Sequence, residues 1–279
     1  MVIVVLTVSL APLSYHARGA HLDTVAISSR AMETELPALV VVPERAAHDT
    51  LRRPVLYLLH GFGSDYLGMS RLANLGRAAD LYGFIIVCPS GSAGSWYMDS
   101  PVDHTLRFET YIVREVVPWV DQHYPTLADR AHRGLCGISM GGHGALYLAF
   151  RHPDVFGAAA SISGVLDLRE TTQPEALSRV LGSFEGYAPL WDSLSVERLA
   201  DSVTPGKLAI AMDCGAEDSF LEANRRVHRR LLALGVAHDY AERPGGHTLP
   251  YWRRALAQQM LFMSQVLYGS VWPDSVGAR

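Results

Sequence analysis

A serine between glycines is the clearest chemical signal in the chain, in the segment Gly137-Ile138-Ser139-Met140-Gly141. The apolar residues before this segment predict a strand, and the residues after it predict a helix. A serine at such a strand-to-helix turn sits on strained backbone that exposes its hydroxyl at the start of the helix. Glycines are needed because the turn leaves no room for side chains. The pattern predicts that Ser139 is a nucleophile.

A serine hydroxyl becomes nucleophilic near neutral pH when a base, normally a histidine, takes its proton. Of the 12 histidines, His247 is the best candidate because it ends a Gly-Gly-His run between a predicted strand and the last predicted helix. In proteins with this type of turn the chain order is serine, acid, histidine, which places the base near the carboxyl end. His143 should point away from the cleft, and His152 should end a helix.

Three carboxylates compete for the role of the acid: Asp213, Glu217 and Asp218, all just after the predicted strand Lys207–Met212. The acid should reach the histidine from the loop beyond the strand, which favours Asp218 over Asp213. Asp218 has an alternative role, because an aspartate there also suits the cap of the next helix. Asp213 and Glu217 remain open as alternatives.

An acyl-transfer site also needs two backbone N–H groups aimed at the negative charge that develops on the carbonyl oxygen. One is expected from Met140, the residue after the serine. The second is expected from the His60-Gly61-Phe62-Gly63 loop, where Phe62 is the predicted donor. His60 is expected to hold this loop by hydrogen bonding and to take no part in catalysis.

An aromatic pair, Trp96 and Tyr97, lies in the Gly- and Ser-rich loop Pro89–Ser100. Loops that follow parallel strands gather at the carboxyl edge of the sheet, where open α/β sheets bind ligands. We therefore expect both rings to bind substrate and to narrow the pocket. The alternative is that they pack as core beneath a neighbouring segment.

The elements that must position these residues alternate between short apolar runs and amphipathic stretches. The runs are typical of strands buried on both faces: Val55–Leu59, Phe84–Cys88, Arg133–Cys136, Ala158–Ile162 and Leu208–Met212. The predicted helices are Leu67–Leu81, Leu106–His123, Gly142–Arg151, Ser219–Leu234 and Pro250–Leu267. This alternation predicts an α/β fold with a doubly wound, mostly parallel sheet.

Four segments stand outside this alternation of apolar runs and helices. Leu22–Ser28 and Leu36–Val42 alternate in polarity, which predicts antiparallel strands at one sheet edge. The segment of about residues 166–204 predicts a lid-like insertion over the carboxyl ends of the strands. Residues 1–20, with the apolar run Val2–Leu13, are interpreted as a signal peptide or an amino-terminal extension. Export to the periplasm or the exterior is expected in the first case and a cytoplasmic protein in the second.

Composition limits the partners that the remaining domain, residues 21–279, can have. The formal net charge of −4 excludes the basic surface that nucleic acids require. The three cysteines, Cys88, Cys136 and Cys214, are widely spaced and are expected to be buried thiols without a metal. No stretch after the amino terminus is long and apolar enough to span a membrane. The sequence leaves the oligomeric state undetermined.

Five ordered blocks of the chain resemble one known family. The blocks LYLLHGFGSDY, PSGSAGSWYMDS, GLCGISMGGHGALYLAF, DCGAEDSFLEANR and PGGHTLPYW are similar to those of the esterase D-type esterases. That family includes S-formylglutathione hydrolases, tributyrin-type acetyl esterases, feruloyl and acetylxylan esterases, and mycobacterial mycolyltransferases. The resemblance covers about Leu22 to Tyr268.

The resemblance implies an α/β-hydrolase fold without a cofactor, in which Ser139, Asp218 and His247 match the triad. Phe62 and Met140 match the oxyanion donors. The loop Gly61–Asp65 departs from the S-formylglutathione hydrolases proper, which carry a cysteine there. The block Trp96-Tyr97-Met98-Asp99 is closer to the tributyrin and feruloyl branch.

The expected function is therefore that of a serine carboxylesterase that forms an acyl-enzyme. Its substrates are expected to be small-molecule or carbohydrate esters, with short acetyl-type acyl groups or aromatic or sugar-linked alcohols. An acyltransferase, a thioesterase or a peptidase would use the same triad, and these remain alternatives. A non-catalytic binding module on the same fold is the alternative from another class.

Overall fold

The computed structural model describes residues 19–269, which are built around one eight-stranded sheet. Its order is β1-β2-β4-β3-β5-β6-β7-β8. The strands are β1 His21–Ser29, β2 Thr34–Val42, β3 Val55–Leu59, β4 Ile85–Pro89, β5 Arg133–Ile138, β6 Ala158–Ile162, β7 Ala209–Gly215 and β8 Asp239–Arg243. The first two strands are antiparallel at one edge, as predicted, and β4, β3 and β5 to β8 run parallel. The predicted signal peptide falls mostly outside the described residues.

Helices cover both faces of the sheet. Within residues 19–269 they are α1 Leu75–Tyr82, α2 Phe108–Thr110, α3 Val117–His123, α4 Met140–Arg151, α5 Pro174–Leu181, α6 Phe184–Leu194, α7 Val196–Leu199, α8 Leu221–Ala233 and α9 Leu249–Leu267. A π-helical turn, Tyr111–Val116, joins α2 to α3. Neighbouring residues of β3 point to opposite faces, so Tyr57 packs in the core with α4 and Leu56 packs in the core with α9.

The predicted helix Leu67–Leu81 is wrong in its first half. That half forms a turn and a short 3-10 helix, Met69–Arg71, and the α-helix starts only at Leu75. Asn74 sets this start because its side chain accepts a hydrogen bond from the Arg77 amide at 2.9 Å. The apolar residues before Asn74 keep a helical spacing but belong to a loop that packs beside the site.

The segment between β6 and β7 folds into helices α5, α6 and α7, flanked by short 3-10 turns. Leu177, Val180 and Trp191 anchor it in the core. Arg226 of α8 forms ion pairs with three acidic residues of the segment, Asp167 at 3.1 Å, Glu170 at 2.7 Å and Glu197 at 2.9 Å. The segment is therefore fixed to the body of the protein at several points.

The parallel strands bring the predicted triad and the Phe62 loop to one edge of the sheet. The Phe62 loop follows β3, Ser139 follows β5, Asp218 follows β7 and His247 follows β8. Their carboxyl ends lie side by side because the strands run in the same direction. In the part of the chain that the structure describes, no helix has the length and apolar character of a membrane span.

Candidate active site

Ser139 sits on a strained turn between β5 and α4. Its backbone angles are φ 54° and ψ −117°, a conformation that side-chain-bearing residues rarely adopt. A Cβ atom at Gly137 would lie 2.1 Å from the Gly141 carbonyl oxygen, and one at Gly141 would lie 2.1 Å from the Leu59 carbonyl oxygen. Both flanking positions therefore require glycine, because a side chain at either one would collide with backbone atoms. Without side chains there, the turn packs closely against the end of β3.

The structure brings Ser139, His247 and Asp218 together in a hydrogen-bonded chain. Ser139 Oγ lies 2.9 Å from His247 Nε2. His247 Nδ1 lies 3.0 Å and 3.2 Å from the two carboxylate oxygens of Asp218. When the ring proton is on Nδ1, the Nδ1–H group donates a hydrogen bond to the carboxylate, and Nε2 is left to accept a hydrogen bond from the serine hydroxyl. This arrangement is the one that general-base activation of a serine needs.

The environment of Asp218 keeps it ionised. Burial acts to raise its pKa, but hydrogen bonds from His247 and from the Phe220 amide outweigh burial and hold the pKa below its ordinary value. The Phe220 N–H donates to Oδ1 at 3.0 Å. The rings of Phe220 and Trp252 meet the His247 ring edge to face, with centroids at 5.0 Å and 4.9 Å. These contacts fix the orientation of the imidazole.

The two alternative carboxylates do not approach the histidine. Asp213 lies within β7, fully buried, and pairs with the Tyr251 hydroxyl and the Arg243 guanidinium. Glu217 is exposed. Among residues 19–269, Asp218 is the acidic residue hydrogen-bonded to His247.

The amides of Phe62 and Met140 lie in residues that line the cavity beside Ser139. Neither N–H donates to a protein acceptor within the described range, as an oxyanion donor requires. His60 holds the Phe62 loop, as predicted: its Nδ1 lies 2.9 Å from the Gly61 carbonyl oxygen, and its Nε2 accepts from the Gly91 amide at 3.0 Å. Burial lowers the pKa of His60, which favours the neutral ring that this pair of contacts requires.

The prediction that Tyr97 contacts substrate is wrong. Its ring is fully buried and does not line the cavity, and its hydroxyl donates to the His60 carbonyl at 3.1 Å. The ring fills the space that Gly91 and Gly144 leave open, since a Cβ at either glycine would lie 2.5 Å from it. Trp96 does line the cavity, although only 1% of it is exposed. The aromatic pair thus divides into one wall residue and one core residue.

The other histidines near the serine have packing roles, as predicted. His143 is fully buried against Tyr147, and its Nε2 lies 3.3 Å from the Leu194 carbonyl oxygen. Burial lowers the pKa of His143 to about 4, so its ring stays neutral. His152 follows the end of α4, where its Nε2 lies 2.7 Å from the Glu109 carboxylate.

A cavity of about 480 Å³ opens beside Ser139. Its walls include several residues that the sequence interpretation did not assign to the site: Arg71, Leu72, Phe220, Leu249, Trp252 and Arg253. Phe220 and Trp252 follow closely after Asp218 and His247, and this proximity in sequence is the signal that would have found them. Residues 171–173 of the inserted segment also line the cavity. No group of three or more His, Cys, Asp or Glu side chains within residues 19–269 is arranged to hold a metal ion.

Comparisons with known proteins show the family to which the chain belongs. The sequence model of the family described as "Putative esterase" matches residues 29–263. An esterase of Mycobacterium tuberculosis is 30% identical over 242 residues, which cover 75% of this chain but 51% of that protein. An acetyl esterase of Caldicellulosiruptor saccharolyticus is 24% identical over 230 residues, covering 78% of this chain and 86% of that protein.

The fold comparison adds a solved structure. A ferulic acid esterase superposes with a TM-score of 0.77 at 24% identity, covering 89% of this chain and 98% of that chain. At this identity the likeness shows a shared fold, and it confirms the predicted α/β-hydrolase architecture. The chain spans about half the length of the mycobacterial esterase that it matches.

Proposed function

The chain belongs to this esterase family, and we propose that it is a serine carboxylesterase in which Ser139 is the nucleophile, His247 the base and Asp218 the acid. The observation that carries the proposal is the 2.9 Å contact between Ser139 Oγ and His247 Nε2 at a strained strand-to-helix turn. A serine hydroxyl within hydrogen-bond distance of an imidazole nitrogen, beside two amides without protein acceptors among the described residues, is suited to acyl transfer.

The reaction that this geometry supports has two stages. His247 takes the hydroxyl proton as Ser139 Oγ attacks the ester carbonyl, and the amides of Phe62 and Met140 bind the resulting oxyanion. The carbon–oxygen bond to the alcohol then breaks, and His247 returns the proton to the leaving oxygen. Water, deprotonated by His247, then attacks the acyl-enzyme carbonyl. The bond from the acyl carbon to Ser139 Oγ breaks, His247 returns the proton to that oxygen, and the acid leaves. Asp218 holds the imidazole in the required tautomer and stabilises its protonated form.

The proposed substrates carry a short acyl group and an aromatic or sugar-linked alcohol. Trp96, nearly fully buried, forms part of the cavity wall, which limits the room for a long acyl chain. Phe62 and Trp252 offer flat apolar surfaces on which a phenyl or sugar ring can lie. The names of two similar proteins, an acetyl esterase and a ferulic acid esterase, both specify the acid that is released: the first supports a short acyl group, and the second indicates an aromatic acyl group.

Hydrolysis of p-nitrophenyl acetate by the purified chain tests the proposal. We expect an initial burst of p-nitrophenol, and a peptide containing Ser139 that is heavier by one acetyl group after rapid acid quench. The same chain with Ser139→Ala should show neither. A burst that persists in this variant, or an acetyl group on another residue, would overturn the assignment.

The acyltransferase alternative differs only in what reaches the acyl-enzyme. Addition of a sugar or glycerol acceptor to the same assay separates the two, because transfer yields an acetylated acceptor at the expense of acetate. Formation of acetate as the main product supports the esterase. A predominantly acetylated acceptor would make the chain an acyltransferase with the same triad, and faster turnover of a matched thioester would make it a thioesterase.

A further inference from the structure

The walls of the catalytic cavity are positively charged, although the chain as a whole carries a formal net charge of −4. Arg71 and Arg253 line the cavity, and no aspartate or glutamate is among the described residues that line it. Glu217 lies behind the His247 loop, next to Gly246, and is not part of the wall. The local charge is therefore opposite in sign to that of the whole chain.

Only one of the two arginines has its charge uncompensated. Arg71 donates from Nη2 to Asp65 at 2.9 Å, so this pair is close to neutral. Arg253 is exposed at the rim and makes no ion pair or side-chain hydrogen bond to any residue between 19 and 269. A fixed positive charge at the mouth of a concave site attracts anions and raises their local concentration.

The position of Arg253 indicates which part of the substrate it meets. The alcohol leaves from the side of His247, because Nε2 must return a proton to the departing oxygen. Trp252 contacts the His247 ring, and Arg253 is the next residue of α9. The positive charge therefore lies on the alcohol side of the cavity.

We propose that the natural substrate is an ester whose alcohol part carries a carboxylate, and that Arg253 selects for it. This inference rests on the proposed esterase function and adds the charge of the substrate to it. The aromatic walls accept the ring or chain of the alcohol, and the carboxylate extends to the rim where Arg253 is exposed. Arg253 is a specificity residue and takes no part in the bond-making steps.

A matched pair of esters tests the inference: 4-acetoxybenzoate and 4-acetoxybenzamide have the same shape and differ in charge. Each kcat/KM is divided by the rate at which hydroxide hydrolyses the same ester. We expect the wild type to favour the acid roughly fivefold, the scale of one exposed ion pair. The preference should disappear in Arg253→Gln, persist in Arg253→Lys and reverse in Arg253→Glu. It should also fade at about 1 M NaCl, where the Debye length is about 3 Å.

Arg77→Gln is the matched control, because Arg77 is an exposed helical arginine outside the cavity. It should keep the wild-type preference. Equal rates on the two esters in the wild type, or an unchanged preference in Arg253→Gln, would overturn the inference and leave the esterase function standing. A preference confined to esters with a carboxylate on the acyl part, such as monomethyl succinate against methyl succinamate, would overturn it too. Failure to hydrolyse any ester would overturn the proposed function itself.

Discussion

Ser139 Oγ lies 2.9 Å from His247 Nε2, and the two residues are 108 positions apart in the chain. Ser139 follows β5 and His247 follows β8, with two parallel strands, β6 and β7, between them in the sheet, so the loop after β8 must reach back across the ends of these strands. Gly215 makes this return possible, because a Cβ there would lie 2.1 Å from the Gly245 carbonyl oxygen. The reactive pair is thus held by backbone packing as well as by its own hydrogen bond.

Replacement of the nucleophile should abolish turnover and leave the fold intact. Ser139→Ala removes the attacking oxygen and adds no bulk to the strained turn, so kcat on p-nitrophenyl acetate should fall roughly a million-fold. Ser264→Ala is the matched control, because the Ser264 hydroxyl donates a hydrogen bond to the Leu261 carbonyl within α9 and does not line the cavity. Thermal unfolding checks that both variants fold. Residual activity of Ser139→Ala above about a hundredth of wild type would contradict the assignment.

The two aspartates after β7 should respond differently to amide substitution. Asp218→Asn should lower kcat by roughly ten-thousand-fold, because an amide favours the wrong tautomer of His247. Asp213→Asn should act mainly on stability, because Asp213 is fully buried and paired with Arg243 and Tyr251. Activity per folded molecule and urea unfolding separate the two effects. A greater loss of kcat in Asp213→Asn than in Asp218→Asn would reverse the assignment.

The sequence predicts those elements and residues whose local environment permits only a few residue types. The glycines around Ser139 and the Gly-Gly-His run at His247 are visible because tight turns permit few residue types. The buried strands are visible because both of their faces must be apolar. These signals are sufficient to predict that Ser139 and His247 lie at one edge of the sheet. For the acid the sequence favours Asp218 but leaves Asp213 and Glu217 open.

Side-chain direction in the loops could not be predicted in the same way. Tyr97 turns into the core because Gly91 and Gly144, from two distant segments, leave a space of its shape. No spacing within the loop itself carries that information. Arg253 was missed for a related reason: on the helix α9 it is an ordinary exposed arginine, and only the fold shows that this end of the helix borders the cavity.

The glycines of the turn should be intolerant of even one methyl group. Gly137→Ala would place a Cβ 2.1 Å from the backbone oxygen of Gly141, which cannot move without displacing α4. We expect a loss of about 3 kcal/mol or more in the free energy of unfolding, measured in urea. Gly186→Ala is the control, because its nearest neighbour would be 3.5 Å away. Equal stability of the two variants would show that the turn is looser than its geometry indicates.

Trp96 should set the acyl-chain length that the cavity accepts. The wild type is expected to prefer p-nitrophenyl esters of about two to four carbons, and Trp96→Ala should shift the optimum of kcat/KM to longer chains by removing a wall. Tyr97→Phe is the matched control, since Tyr97 does not line the cavity and should leave the optimum where it is. A wild-type optimum at roughly eight carbons or more would indicate a long acyl groove and favour the mycolyltransferase-like alternative. An unchanged optimum in Trp96→Ala would remove Trp96 from the acyl site.

The buried imidazole of His143 should make the protein less stable as the pH falls. Burial lowers its pKa from 6.5 to about 4, so between these values the unfolded chain binds a proton that the folded protein excludes. The free energy of unfolding therefore rises with pH in this window, and this group should lower it by about 2 kcal/mol in the wild type as the pH falls from about 7 to about 5.

His143→Gln keeps a donor for the Leu194 carbonyl but does not titrate, so its free energy of unfolding should change less over the same range. His104→Gln, at an exposed site, should retain the wild-type slope. Urea unfolding at the two pH values measures each slope, and equal slopes for wild type and His143→Gln would show that the buried ring is protonated in the folded protein.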